Sequence, residues 1–124
     1  MTTVLIIDDD ADLRLLYKEI LEQAGYEVMD AADGAAGISL YRTHRPDVVI
    51  TDIVMPEKEG LETIKELGQD FPGVKIIAVS GGFHNMDAAA CLNMARLMGA
   101  RRTLPKPVPK KVLIETVQAV LAEE

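Results

Sequence analysis

Six polar residues stand directly after short apolar runs of the chain: Asp8, Asp9, Asp10, Asp52, Ser80 and Lys106. Carboxylates that the fold brings close together repel one another, and a proton or a cation must compensate. A hard divalent cation with oxygen ligands suits such a group. Mg²⁺ suits it best, because it accepts one or two protein carboxylates and keeps several waters. Neither a His nor a Cys stands near the four aspartates in the sequence to favour zinc.

The other polar groups extend this set toward phosphoryl transfer. Lys106 adds one positive charge, and Ser80 adds a hydroxyl donor. Gly81 and Gly82 leave the backbone N–H groups after Ser80 open to an anion. Phosphoryl transfer to a carboxylate nucleophile needs in-line positioning and neutralisation of oxygen charge more than it needs proton chemistry. The residue types therefore predict a phosphoryl-transfer site.

An alternation of strands and helices must position these residues. Short apolar runs predict five strands, at Val4–Ile7, Tyr26–Ala31, Asp47–Thr51, Val74–Val79 and Arg102–Leu104. Apolar stripes at helical spacing predict five helices, at 13–24, 34–44, 61–67, 85–98 and 113–121. This alternation predicts an α/β fold, a doubly wound parallel sheet with helices on both faces. The working crevice of such a sheet lies at the carboxyl ends of its strands, where the six polar residues fall.

Composition limits the other function classes. The 124 residues predict a single domain over 1–124 with no output domain, and the formal charge of −7 disfavours direct binding of nucleic acid. The single cysteine, Cys91, excludes an internal disulfide and a CxxC motif. No apolar run has the length of a membrane span or of a secretory leader, so we expect no membrane association and a cytoplasmic location.

Five short motifs together resemble the receiver domains of two-component response regulators: Ile7-Asp8-Asp9-Asp10, Thr51-Asp52-Ile53-Val54-Met55-Pro56, Val79-Ser80, Gly99-Ala100 and Leu104-Pro105-Lys106-Pro107. Each motif is weak alone, but the five occur in order over essentially the whole chain. The resemblance implies a flavodoxin-like sheet with strand order 2-1-3-4-5. It also implies a signalling switch that catalyses only its own phosphorylation and dephosphorylation.

The resemblance implies a role for each acidic residue of the site. Asp52 would accept a phosphoryl group from a phosphohistidine of a sensor histidine kinase or a histidine phosphotransfer protein. Asp9 and Asp52 would ligate Mg²⁺, with the backbone carbonyl of Val54 as a further ligand. Asp8 would act on the metal largely through water.

The resemblance also implies how the phosphoryl group is held and how the signal leaves. Ser80 and the Gly81 N–H would bind the group, and Lys106 would pair with its oxygens beside a cis Lys106–Pro107 peptide bond. The face formed by helix 4, strand 5 and helix 5 would then regulate a downstream protein of unknown identity, or support a homodimer that forms on phosphorylation.

The chain departs from the family pattern in its switch residues. Most receivers carry Tyr or Phe three residues before the lysine, where this chain has Thr103. The segment from Ser80 to Gly99 is also longer than is common in the family. We expect Phe83, on this glycine-hinged segment, to replace the missing aromatic as the mobile element that responds with Ser80.

Two other functions stay open at this stage. The first is a magnesium-dependent phosphohydrolase with Asp8 as nucleophile and Asp10 as general acid. Such enzymes need further acidic ligands on a late strand, and no acidic residue stands between Asp87 and Glu115. The second is a receiver-like interaction module that is never phosphorylated, which Thr103 favours and the complete set of reactive residues disfavours.

Overall fold

The computed structural model describes residues 1–53, 60–81 and 88–123. These residues form five strands: β1 (Thr3–Ile7), β2 (Glu27–Ala31), β3 (Val48–Asp52), β4 (Ile76–Ser80) and β5 (Arg102–Pro105). The strands pair in parallel in the order β2-β1-β3-β4-β5. The predicted α/β fold and its strand order are therefore confirmed, with β2 and β5 as the two edges of the sheet.

Five helices alternate with the strands within the described ranges: α1 (Ala11–Gln23), α2 (Gly34–His44), α3 (Gly60–Asp70), α4 (Ala88–Met98) and α5 (Lys110–Leu121). None of them is long and apolar enough to cross a membrane. Carboxylates cap two of the helices. Asp10 accepts hydrogen bonds from the backbone N–H groups of Asp12 and Leu13 at 3.0 and 3.1 Å, and Asp33 accepts one from Ala36 at 2.8 Å. These caps satisfy N–H groups that the first helical turn leaves without partners.

The core has two layers because neighbouring residues of a strand point to opposite faces of the sheet. Leu5 and Ile7 of β1 pack with α2, α3 and α4, whereas Val4 and Ile6 pack with α1 and α5. The central strands β3 and β4 are buried along their whole length. Helices thus cover both faces, as predicted, and the edge strands β2 and β5 are only partly buried.

The strand register brings the predicted site residues to one edge. Ile7 pairs with Thr51, so Asp8 follows β1 beside Asp52 on the neighbouring strand. Asp52 pairs with Val79, which places Ser80 one residue further along β4. Three strands end one residue later than predicted, so Asp52, Ser80 and Pro105 are the last residues of β3, β4 and β5. The ladder hydrogen bonds extend past the apolar runs that the sequence shows, which is an ordinary error of strand boundaries.

Candidate functional site

Three carboxylates meet at the carboxyl ends of β1 and β3. One oxygen each of Asp8, Asp9 and Asp52 lies within 4.8 Å of the others. Asp8 and Asp52 are almost completely buried, with 2% and 6% of their surface exposed, whereas Asp9 is exposed. The cluster therefore has a buried floor and opens to solvent on the side of Asp9.

Hydrogen bonds fix Asp8 at the bottom of this cluster. Its backbone N–H donates to the Ala31 carbonyl oxygen at 3.1 Å, and its carboxylate accepts from the Asp10 N–H at 2.9 Å. Arg14 donates to the Asp8 carbonyl oxygen at 2.8 Å while its Nε pairs with Asp30 at 2.7 Å. Burial raises the pKa of the Asp8 carboxyl, and the Asp10 N–H and the Lys106 ammonium oppose that rise. Hydrogen bonds thus hold Asp8 rigidly, while burial destabilises its ionised form.

Lys106 supplies the positive charge of the site. Its Nζ lies 3.4 Å from an oxygen of Asp8 and 3.3 Å from an oxygen of Asp52. Charge-assisted hydrogen bonds are usually about 2.7–2.9 Å long, so the ammonium bridges both carboxylates without binding either tightly. The Lys106 backbone N–H donates to the Ser80 carbonyl oxygen at 3.0 Å, and the Lys106–Pro107 peptide bond is cis.

Ser80 and Gly81 complete the edge beside Lys106. Ser80 is fully buried at the end of β4, and Gly81 is exposed immediately after it. A Cβ atom at Gly81 would lie 3.6 Å from the Lys106 Cβ, which is ordinary contact. The backbone of Gly81 therefore runs alongside the lysine stem, on the side of the site opposite β1.

Gly60 lets the backbone around Asp52 close onto α3. Its N–H donates to the Ile53 carbonyl oxygen at 2.7 Å, and a Cβ atom there would overlap the Asp52 carbonyl oxygen and the Ile53 Cα. Backbone atoms cannot move aside as a flexible side chain can. The glycine is thus required by the close approach of α3 to the end of β3.

Replacing Gly60 by Ala is expected to lower the free energy of unfolding by about 1–3 kcal/mol, because the new methyl group must displace backbone. Gly68→Ala is the matched control, since Gly68 lies exposed in the same helix and has no neighbour within 4 Å of an added Cβ. That variant is expected to be as stable as the wild type, or up to about 1 kcal/mol more stable. Urea unfolding measures both, and equal effects of the two variants would contradict the packing argument.

The donor set of the acidic cluster fits a magnesium ion. All three groups offer carboxylate oxygens, which hard divalent cations prefer. Two ligands of one octahedral Mg²⁺ lie about 3 to 4 Å apart, given metal–oxygen distances of about 2.0–2.1 Å, so the observed spacing needs only a small contraction. The exposed Asp9 leaves a side on which the ion could keep water.

Several predicted residues fall elsewhere. Asp10 is exposed, and its carboxylate is used as the cap of α1. Val54 and Phe83 lie outside the described residues. Thr103 is half-buried on β5, pairs with Ala78, and lines a cavity of about 340 Å³ away from the acidic cluster.

Sequence reasoning missed three residues around the site: Arg14, Gly60 and Tyr17. Arg14 and Gly60 act on the backbone of Asp8 and of Asp52, which no sequence pattern reveals. Tyr17 falls within the apolar stripe at 13–24 that predicts the first helix. Its hydroxyl is buried, and burial together with the carboxylates of Asp8, Asp52 and Asp10 raises the pKa of Tyr17 to about 12. The available signal was a tyrosine one helical turn after Leu13, because the hydroxyl of a buried tyrosine usually needs a hydrogen-bond partner.

Comparison with known proteins decides the family. Residues 4–118 match the family model of the response regulator receiver domain. The chain belongs to this family. Receiver domains are signalling proteins of two-component systems. They bind Mg²⁺ in an acidic pocket. They interact with histidine kinases or phosphotransfer proteins and with downstream effectors.

Individual relatives are similar over nearly their whole length. The receiver domain is 36% identical over 118 residues to the chemotaxis protein CheY of Thermotoga maritima, covering 94% of this chain and 95% of that protein. It is 34% identical over 124 residues to protein PilH of Pseudomonas aeruginosa, covering 98% and 99%. Its fold matches the crystal structure of a CheY-like receiver domain protein from Methanospirillum hungatei with a TM-score of 0.89 and 30% identity, covering 98% and 94%.

Proposed function

We propose that this receiver domain is a switch that accepts a phosphoryl group on Asp52 from a phosphohistidine of a sensor histidine kinase or a histidine phosphotransfer protein. The position of Asp52 carries the proposal. Its carboxylate is almost buried, lies in a cluster with two other acids, and faces the Lys106 ammonium at 3.3 Å. The Lys106 ammonium compensates the charge of this carboxylate. The cluster opens to solvent on the side of Asp9.

The transfer step forms one bond and breaks one. An Asp52 carboxylate oxygen attacks phosphorus, and the bond from phosphorus to the donor imidazole nitrogen breaks. The electron pair stays on that nitrogen, and a protonated phosphoimidazole leaves as neutral imidazole. The product on this chain is an aspartyl phosphate, which is a mixed anhydride.

The chain's own residues stabilise the transferring group. We propose that Lys106 moves its ammonium from the Asp52 carboxylate onto a phosphoryl oxygen, and that the Ser80 hydroxyl and the Gly81 N–H donate to the other oxygens. Mg²⁺, held by Asp9, Asp52 and the Val54 carbonyl with Asp8 acting through water, would neutralise phosphoryl charge when bound. The rigid anchoring of Asp8 keeps the floor of the site in place while the charges shift.

We propose that the signal leaves through β5 and the adjoining helices. Lys106 directly follows β5, and Thr103 lies three residues before it. The cavity beside Thr103 is lined by three arginines: Arg96 of α4, Arg101 in the connection to β5, and Arg102 of β5. A phosphorylation-dependent change in this face, together with Ser80 and Phe83, would regulate a downstream protein or favour a homodimer.

Acetyl phosphate tests the proposed phosphorylation directly. Incubating the chain with acetyl phosphate and Mg²⁺ is expected to add one phosphoryl group, seen by intact mass, and chelation of Mg²⁺ should prevent the gain. Peptide mapping after reduction of the acyl phosphate is expected to locate the group at Asp52. A chain that gains no phosphoryl group from acetyl phosphate or from a phosphohistidine donor would instead be an unphosphorylated interaction module.

The use of Asp10 as a helix cap argues against the phosphohydrolase alternative. A general acid must reach the leaving group, but the Asp10 carboxylate is engaged with two backbone N–H groups of α1. Steady hydrolysis of a phosphate ester that is lost in Asp8→Asn and kept in Asp52→Asn would favour the hydrolase over the switch.

A further inference from the structure

Two hydrogen bonds of Arg14 link the acidic cluster to the neighbouring strand β2. The guanidinium donates through Nη1 to the Asp8 carbonyl oxygen at 2.8 Å and through Nε to the Asp30 carboxylate at 2.7 Å. Both lengths are those of well-formed N–H···O hydrogen bonds. Only 19% of the arginine side chain is exposed, so water competes little for its donors. Arg14 of α1 therefore bridges β2 and the residue that follows β1.

The Asp8 carbonyl belongs to the peptide group that joins Asp8 to Asp9. Because a peptide group is planar, a bond that fixes its oxygen also fixes the direction in which the chain continues to the Asp9 Cα. The next peptide group is fixed as well, since its Asp10 N–H donates to the Asp8 carboxylate at 2.9 Å. Hydrogen bonds thus hold the backbone on both sides of Asp9.

The Asp9 side chain has no comparable anchor. It is exposed, and its carboxylate makes no hydrogen bond or ion pair with any other described residue. It nevertheless supplies one of the three oxygens that lie within 4.8 Å of one another. The place of this carboxylate in the cluster is therefore set mainly by the backbone that carries it, and Arg14 holds that backbone.

The charge of Arg14 is compensated away from the cluster. An unpaired cation beside the carboxylates would repel a second cation. The Arg14 guanidinium is paired with the Asp30 carboxylate at 2.7 Å, so it can donate to the Asp8 carbonyl oxygen with much of its charge neutralised. Lys18, one helical turn later, lies 3.8 Å from the other oxygen of Asp30.

We propose that Arg14 is a positioning residue for Mg²⁺: by holding the peptide group between Asp8 and Asp9, it keeps the Asp9 carboxylate beside that of Asp52, where both would ligate the ion. This role deepens the proposed function and rests on the metal site that this function requires. Arg14 acts through the backbone and touches neither the ion nor the phosphoryl group.

Arg14→Met distinguishes this role from simple electrostatics, because the two predict opposite signs. Removing a positive charge beside an acidic cluster would by itself tighten Mg²⁺ binding. Loss of the anchor is instead expected to raise the Mg²⁺ dissociation constant, measured by isothermal titration calorimetry, about 10-fold, the lower end of the usual effect of groups that orient metal ligands. Arg14→Lys keeps the charge but not the planar fork of donors, and should weaken binding at least about 3-fold.

Lys18→Met is the matched control. It removes the same charge from the same face of α1, and its contact is also with Asp30. We expect its Mg²⁺ dissociation constant to stay within about 2-fold of the wild-type value, because a partly exposed ion pair contributes little. Equal weakening in Lys18→Met and Arg14→Met, or binding in Arg14→Met that is unchanged or tighter, would overturn the positioning role.

Nuclear magnetic resonance of the metal-free protein supplies a readout of the backbone itself. The Asp9 amide N–H belongs to the peptide group that Arg14 binds, so its resonance should shift in Arg14→Met and stay in place in Lys18→Met. A resonance that shifts while the Mg²⁺ affinity stays the same would show that Arg14 holds the backbone without positioning the metal ligand, and the proposal would fail.

Phosphorylation by acetyl phosphate separates this proposal from the proposed function. Arg14→Met should raise the Mg²⁺ concentration that gives the half-maximal rate about 10-fold, and should leave the rate at saturating Mg²⁺ within about 2-fold of the wild type. If the wild-type protein binds Mg²⁺ but gains no phosphoryl group, the proposed function fails, while calorimetry still decides the role of Arg14. A wild-type protein that binds no Mg²⁺ would overturn the role of Arg14 as well.

Discussion

Asp52→Asn is expected to lower the rate of phosphoryl uptake from acetyl phosphate at least about 100-fold, to the background of the assay. The amide that replaces the carboxylate has no anionic oxygen to attack phosphorus. The fold should survive, because Lys106 keeps its contact with Asp8 and one of three crowded negative charges is removed. Intact mass after incubation with acetyl phosphate and Mg²⁺ measures the uptake, and circular dichroism checks the fold.

Asp10→Asn is the matched control for this experiment. It removes the same charge at the same edge of the sheet, but Asn caps a helix about as well as Asp does. We expect this variant to take up one phosphoryl group like the wild type. Equal uptake by Asp52→Asn would place the acceptor elsewhere in the chain, and loss of uptake in Asp10→Asn alone would favour the general-acid role that the phosphohydrolase alternative assigns to Asp10.

The carboxyl ends of the strands could be predicted from the sequence to within one residue, because they depend on the residue types of the neighbouring positions. A short apolar run followed by an Asp or Ser indicates both a buried strand and its exit toward solvent. Parallel pairing then brings the exits together without knowledge of any contact. This is why the convergence of Asp8 with Asp52 followed from the predicted topology, and why the register of β1 against β3 confirms that arrangement.

The distinction between Asp8 and Asp9 could not be predicted in the same way. The two residues are adjacent and chemically identical, yet Asp8 is 2% exposed and Asp9 is exposed. The difference arises from contacts between residues that are distant in sequence, such as the 3.4 Å contact of the Lys106 ammonium with the Asp8 carboxylate. Sequence spacing carries no information about which carboxylate such a contact selects.

The hydroxyl of Tyr17, for which the described residues provide no partner, also could not be predicted from the sequence. The helical stripe correctly places Tyr17 in the core of the α1 and α5 face. Whether its hydroxyl meets a partner depends on groups that other elements of the fold bring close to it. Polar satisfaction is a three-dimensional property, so a pattern of apolar positions predicts where a side chain is buried but not what its polar atom meets.

Asp8→Asn is expected to stabilise the metal-free protein at neutral pH and to weaken its response to Mg²⁺. Burial raises the pKa of the Asp8 carboxyl in the folded state above its unfolded value. The folded state therefore binds this proton more readily, and the stability that Asp8 contributes is present below the unfolded pKa and is lost as pH rises through the folded pKa. The amide of Asn cannot ionise, so the variant does not lose this stability as pH rises. Its melting temperature should therefore exceed that of the wild type at pH 7, by a margin that shrinks toward acidic pH.

Magnesium should reverse this ranking. Mg²⁺ that binds only the folded wild-type protein adds about 2.7 kcal/mol of stability at a free concentration of 100 times its dissociation constant. A residue that orients the ion's ligands or waters typically contributes about 10–100-fold in affinity, so Asp8→Asn should lose about half of this gain or more. Melting curves across pH, with and without Mg²⁺, measure both effects. Asp10→Asn should follow the wild type in Mg²⁺, and an Asp8→Asn variant that gained as much from Mg²⁺ as the wild type would remove Asp8 from the metal site.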